Sequence, residues 1–235
     1  MPFDNEPAPT AHETAFGADD VWAELYRSRQ DRVAKGVLDE KSRQLVFVAG
    51  HLVNRYPDAA RRHQALARAA GATTADLRLI VKILDFYRGL RLFQDAQKVV
   101  SLWSSGNFPE LLPPESGSHK DIYDEILRSR TYIANGFRVY AADGEWLRLY
   151  LSRSDAIKTS ETTLDHKTIQ LLSMAVTLMN HRYSGNWNDG CIGVHEAKAR
   201  SLGASAREVL EVVQILELCE SELTAWEATQ ALDLS

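Results

Sequence analysis

The sequence is poor in most of the features that announce a function. It holds two cysteines, Cys191 and Cys219, in 235 residues. That is too few for a disulfide framework in a chain this long, and it points to a reducing cytoplasm. No apolar run approaches the roughly 20 residues that span a bilayer, so no membrane partner is expected. No glycine-rich phosphate loop of recognisable form occurs, which argues against a nucleotide, and no cofactor is expected. Basic residues are scattered and the net charge is −5, so nucleic acid is not an expected partner either. Strand signals are few. The first residues lack a basic stretch followed by an apolar one, and they carry Pro2, Pro7 and Pro9. Residues 1–18 are therefore expected to be a flexible arm rather than a secretory signal.

What is present is helical. Hydrophobic residues make up 45% and charged residues 25% of the chain, enough to bury a core. Apolar residues recur at helical spacing from Asp19 to Ala34, with Val21, Trp22, Leu25 and Val33. A second helix opens at Leu38-Asp39 and buries Leu45, Val46, Val48, Ala49, Leu52 and Val53. A short Ala-rich helix from Ala59 to Ala70 closes at Gly71, and Thr73 or Thr74 caps a long helix from about Ala75 to Ser101. The stretch 103–120 is rich in Ser, Gly and Pro and reads as a linker.

Beyond that linker the pattern begins again. LDEKSRQLVFVAGHLVN at 38–54 aligns with LDHKTIQLLSMAVTLMN at 164–180, sharing Asp39/Asp165, Lys41/Lys167, Gln44/Gln170 and Asn54/Asn180 among others. HQALARAAGATTADL at 63–77 aligns with HEAKARSLGASAREV at 195–209, sharing His63/His195, Arg68/Arg200 and Gly71/Gly203. The offset changes from 126 to 132, so the second block carries six extra residues around Ser184 to Asp189. Two aligned blocks imply two related helical repeats, 19–102 and 121–235.

Cys191 and His195 stand four residues apart, which on a helix places both on one face about one turn apart. An imidazole beside a thiol stabilises the thiolate or takes its proton, and a helix N-terminus lowers a thiol's pKa. The bland alternative is a small buried Cys packed beside a hydrogen-bonded His. His181, Tyr183 and Trp187 are candidates to wall a pocket over the thiol, and Arg182 to hold a carboxylate. They serve equally well as interface filler. Arg61 and Arg62 could meet an acidic substrate or form an exposed basic turn. Cys219 lies in an apolar run and reads as core. Cys191, His195, His181 and Glu196 offer no second ligand pair of suitable spacing, so no metal is expected there.

The combined pattern resembles the carboxymuconolactone decarboxylase and alkylhydroperoxidase D-like family. It consists of Asp-x-Lys opening an apolar helix, a short helix beginning at a His, and Gly-Ala-Ser/Thr opening a long helix. The resemblance covers nearly the whole chain. It implies an all-α fold and closed rings, with a homotrimer of two-repeat chains as the analogue of single-repeat hexamers. It also implies a small-molecule substrate. In peroxidase members a Cys-x-x-Cys precedes the His. Here Asn188 stands at the first Cys position, and no Glu lies on the helix from Leu164 to Arg182. Those departures favour decarboxylase-like general acid/base chemistry on a small organic acid, lactone or related carbonyl compound, with His195 moving the proton. A one-cysteine thiol peroxidase or reductase and a ring-forming scaffold without chemistry are the alternatives. In the first repeat Ala59 occupies the nucleophile's position and His63 is kept, so that half is either structural or lends His63 to a shared site.

Overall fold

A computed structural model describes residues 11–17, 20–104, 120–130, 144–181 and 190–232, apart from the side chains of 90–104, 122, 129–130, 181 and 191. These residues form helices and no strand, as the spacing of apolar residues predicts. In chain order the helices are α1 (Ala11–Phe16), α2 (Val21–Ala34), α3 (Glu40–Val53), α4 (Pro57–Ala69), α5 (Thr74–Ser104), α6 (Lys120–Arg130), α7 (Gly144–Lys158), α8 (His166–His181), α9 (Gly190–Ser201) and α10 (Ala206–Ala231).

Their ends follow from local chemistry. Asp39 caps α3 by accepting from the Ser42 N–H at 2.9 Å, and Asp165 caps α8 by accepting from the Thr168 N–H at 2.7 Å. Gly71 and Gly203 end α4 and α9 at φ of 91° and 92°, a left-handed conformation that penalises any side chain. In both, a backbone bond then reaches back to the helix, from Ala72 to Ala67 and from Ala204 to Ala199. Reciprocal caps start the next helices. Thr73 and Asp76 exchange side-chain and backbone bonds at the head of α5, as Ser205 and Glu208 do at the head of α10.

The chain divides into two compact units, one formed by the residues up to Ile80 together with those from Thr163, the other by Val81–Thr162. In the first unit α3 is the central element. It packs against α4, α8 and α10, and eleven of its fourteen residues are buried, Arg43, Gln44 and His51 included. A helix enclosed on nearly all sides cannot show a single apolar stripe. Gly50 lets α10 come close, because a Cβ there would meet the Cys219 sulfur at 2.8 Å. Cys219 itself is wholly buried, as its apolar run implies.

Two features of the first unit depart from the spacing argument. Residues 11–16, within the stretch read as an arm, form a helix packed on α10. His12 is the anchor: it stacks on Tyr26 with ring centroids 3.6 Å apart, and its Nε2 lies 2.9 Å from the Ser221 hydroxyl. On α2 the buried residues are Ala23, Tyr26 and Val33, whereas Val21, Trp22 and Leu25 are more than half exposed. Tyr26 displaces those residues from the inner face because its ring is held between His12 and the core.

In the second unit α5 and α7 meet through Phe86 and Tyr150, whose rings lie 5.0 Å apart. Arg153 pairs with Asp85, and Lys82 donates to the Ser160 hydroxyl at 2.8 Å.

Candidate functional site

Two histidines that align in sequence are held by the same device. His63, near the middle of α4, places Nδ1 2.6 Å from the Oε1 of Gln44 on α3. His195, on α9, places Nδ1 2.7 Å from the Oε1 of Gln170 on α8. An amide oxygen only accepts, so in each ring Nδ1 carries the proton and Nε2 keeps its lone pair. For Gln44 the orientation is fixed from the other end, since its amide nitrogen donates to Glu40 at 2.7 Å. Burial drives both imidazoles toward the neutral form. His63 falls to about 3, with His51 adding to the effect, and His195 falls to about 4, with Lys198 adding a little.

Around His63 the site is crowded and charged. Phe47 stacks on its ring at 4.2 Å and 7°, and His51 lies 5.2 Å away, nearly parallel. Glu222 reaches in from α10. Its Oε2 stands 3.2 Å from His51 Nε2, and Arg62 of α4 donates to Oε1. Burial pushes the Glu222 carboxyl up, but His51 and Arg62 outweigh it and hold the group down to about 2. Tyr56 meets His51 edge-on and stacks in turn on Trp226. His51 is 0% exposed; its Nδ1 has no partner, and its Nε2 faces the Glu222 carboxylate without an aligned hydrogen bond.

Around His195 the corresponding positions are filled differently. Where α3 has His51, α8 has Thr177, whose hydroxyl donates back to the Ser173 carbonyl at 2.6 Å. Where α4 has Arg62, α9 has Val194. Cys191 falls in the first turn of α9, four residues before His195. The side chains of Cys191 and His181, and residues Arg182, Tyr183 and Trp187, lie outside the described residues. Glu196 pairs with Arg200 at 2.6 Å across one helical turn.

His63 lies on α4 and Cys191 and His195 on α9, the helices on which the sequence pattern puts them. Sequence reasoning misses His51 and Glu222. His51 sits inside an apolar run, and Glu222 is 171 positions further on, so no short motif joins them. The aligned pair Gln44/Gln170 is the signal that could have pointed to the two His–Gln contacts. Arg61 is an exposed partner of Asp58, and Arg62 turns inward to Glu222.

Neither a family model nor a curated protein matches the chain. Among solved structures it is similar to a "putative gamma-carboxymuconolactone decarboxylase subunit" from Burkholderia xenovorans. The TM-score is 0.71, the identity is 18%, and the match covers 95% of this chain and 91% of the other. At that identity the likeness establishes a shared architecture over almost the full length of both chains: the protein has the all-helical fold of that decarboxylase-like structure.

Proposed function

We propose that the protein is a carboxymuconolactone decarboxylase-like enzyme that works on a small organic acid, lactone or related carbonyl compound by general acid/base chemistry, with His195 as the proton carrier. The observation that carries this reading is the His195–Gln170 contact. It fixes the tautomer, and burial keeps the ring unprotonated at neutral pH, so Nε2 is a base in the resting protein. A neutral, oriented imidazole can take the proton of the substrate's carboxyl group; the carbon–carbon bond then breaks with its electron pair held by the neighbouring carbonyl, carbon dioxide leaves, and the imidazolium returns the proton to the carbon that carried the carboxylate. The solved neighbour's name supports the reaction class. Cys191 serves as a second acid, a nucleophile or a polar wall, and His181, Arg182, Tyr183, Trp187 and His63 are the proposed substrate contacts. The test is a panel of carboxylated lactones and β-keto acids, monitored for carbon dioxide release with the protein and with His195→Asn. Release by both alike, or by neither, would remove this reading.

One feature favours a second reading. A thiol in the first turn of α9 is where a helix N-terminus stabilises a thiolate. A one-cysteine peroxidase would use Cys191 to take oxygen from a peroxide, forming a sulfenic acid and an alcohol or water. An external thiol would then reduce it, because Asn188 cannot. Fast alkylation of Cys191 relative to buried Cys219 at neutral pH supports this, and equally slow labelling counts against it.

The same reading holds that the chain is two related repeats and assembles as a homotrimer. Matched Gln–His contacts, matched glycines and matched caps support the repeat. Support for assembly comes from apolar side chains left outward: Trp22 and Leu25 on α2, Leu210 and Val213 on α10. Light scattering in dilute neutral buffer tests it, and a monodisperse species of 26.3 kDa would exclude the trimer.

A further inference from the structure

We infer that His51, His63 and Glu222 form a binding site for a divalent transition-metal ion such as zinc, held between α3, α4 and α10. The three donor atoms lie within 4.8 Å of one another. His51 Nε2 and Glu222 Oε2, at 3.2 Å, already have the separation of two ligands on one ion. Donors about 2.1 Å from a metal and about 100° apart stand about 3.2 Å from each other. Side-chain adjustment of about an ångström brings the widest pair to a tetrahedral spacing.

Three further features point to an ion rather than to a closed ion-pair network. First, the wholly buried His51 ring makes no aligned hydrogen bond, its Nε2 facing only the Glu222 carboxylate at 3.2 Å. Buried polar atoms are seldom left so, and a bound ion is one of the few physical explanations. Second, His63 is oriented in the manner of metal-ligating histidines. Its Nδ1–H is given to Gln44, and Gln44 is anchored by Glu40, leaving the Nε2 lone pair for a ligand bond. Third, Arg62 occupies only one oxygen of Glu222, so Oε2 stays available beside His51. Two imidazoles and one carboxylate form a borderline-soft donor set that suits zinc or ferrous iron, with coordination positions left for water or a ligand oxygen. In sequence the three donors are scattered over positions 51, 63 and 222, so no spacing motif discloses them. The donors are other residues than Cys191 and His195, and the inference does not rest on the lyase reading.

The experiment uses the full chain stripped by a chelator and titrated with Co²⁺ alone, then Zn²⁺ alone, by visible absorption and calorimetry. The expected result is one ion per chain, with cobalt d–d bands of a low-coordinate site that zinc abolishes. His63→Gln is expected to weaken binding by about 100-fold or more, and Gln44→Ala by about 10-fold through loss of orientation. Circular dichroism should show helix content intact in both variants. His195→Asn should bind as the unaltered chain does. No uptake of either ion below about 10 μM by the unaltered protein, or undiminished affinity in His63→Gln, overturns the inference. Binding lost in His195→Asn instead would place the ion elsewhere and overturn it equally.

Discussion

The two His–Gln contacts are alike to 0.1 Å (2.6 and 2.7 Å), yet what surrounds them is opposite in character. At His63 the neighbours are a second imidazole, a guanidinium and a buried carboxylate. At His195 the positions of His51 and Arg62 are taken by Thr177 and Val194. The same scaffold thus holds one neutral imidazole in a charged cluster and another in a setting without those charged neighbours. The orienting device is common to both positions, and the two differ in the side chains placed next to it.

The sharpest way to break that comparison is to remove each imidazole separately. If proton transfer belongs to the second half, His195→Asn lowers turnover on a responsive lactone or keto acid by about 10²–10⁴-fold, the range for a general acid/base. The same change at His63 leaves the His195 machinery standing and acts on metal affinity. Equal loss from both would mean that the two halves share one site.

Stability offers the next contrast. Arg43 and Glu211 form a pair that is 7% and 4% exposed, and Glu211 also accepts from the Leu38 N–H at 2.9 Å. Glu211 further presses on Gly36, where any Cβ would collide with its carboxylate. In the second half the comparable link is Lys167–Glu208, 29% and 13% exposed. Breaking a buried pair strands a charge and costs about 3–5 kcal/mol. Glu211→Ala is therefore expected to destabilise by that amount. Glu208→Ala loses a helix cap and a wetter ion pair, together about 1–2 kcal/mol. Urea unfolding of the two variants checks the ranking, and reversal of the order would contradict the burial argument.

That contrast also shows what sequence could and could not convey. The helices were legible because Asp39, Asp165, Gly71, Gly203, Thr73 and Ser205 act on backbone within a few residues of themselves. His63 and His195 were legible because the alignment pairs them. Glu211 and Glu222 were not, since each acts across more than 150 positions, and on their own helix they look like ordinary surface acids. Val21, Trp22 and Leu25 misled for a related reason: spacing identifies an apolar face, but only the neighbour decides whether that face is covered.

A third contrast lies at one aligned position. Gly50 on α3 faces Cys219 and Leu216, while Val176 stands at the matching place on α8 and is 1% exposed. Gly50→Ala would press a methyl group into the sulfur and is expected to cost about 1–3 kcal/mol through overpacking. Val176→Ala errs in the other direction and leaves a small cavity, for a cost of about 1–3 kcal/mol. The two differ in their remedy. Adding Cys219→Ala should recover part of the Gly50→Ala loss and none of the Val176→Ala loss, as thermal unfolding of the double variants would reveal.

The smallest effect expected is a pH dependence. Burial lowers the His195 pKa from its ordinary 6.5 to about 4, so the unfolded chain binds a proton there more readily than the folded one. The folded state's advantage from a neutral His195 is then complete above about pH 6.5 and is lost as the pH falls toward 4. His195→Asn lacks that titration. Its melting temperature, measured beside that of the unaltered protein from pH 7.5 to 4, should fall less steeply with acid. In kinetics the same shift places the acidic limb of the rate profile near pH 4 rather than 6.5, because the base is already unprotonated at pH 5. A limb near 6.5, with parallel melting curves, would mean that water reaches the His195 ring freely, and the closed, oriented imidazole proposed as the base would have to be given up.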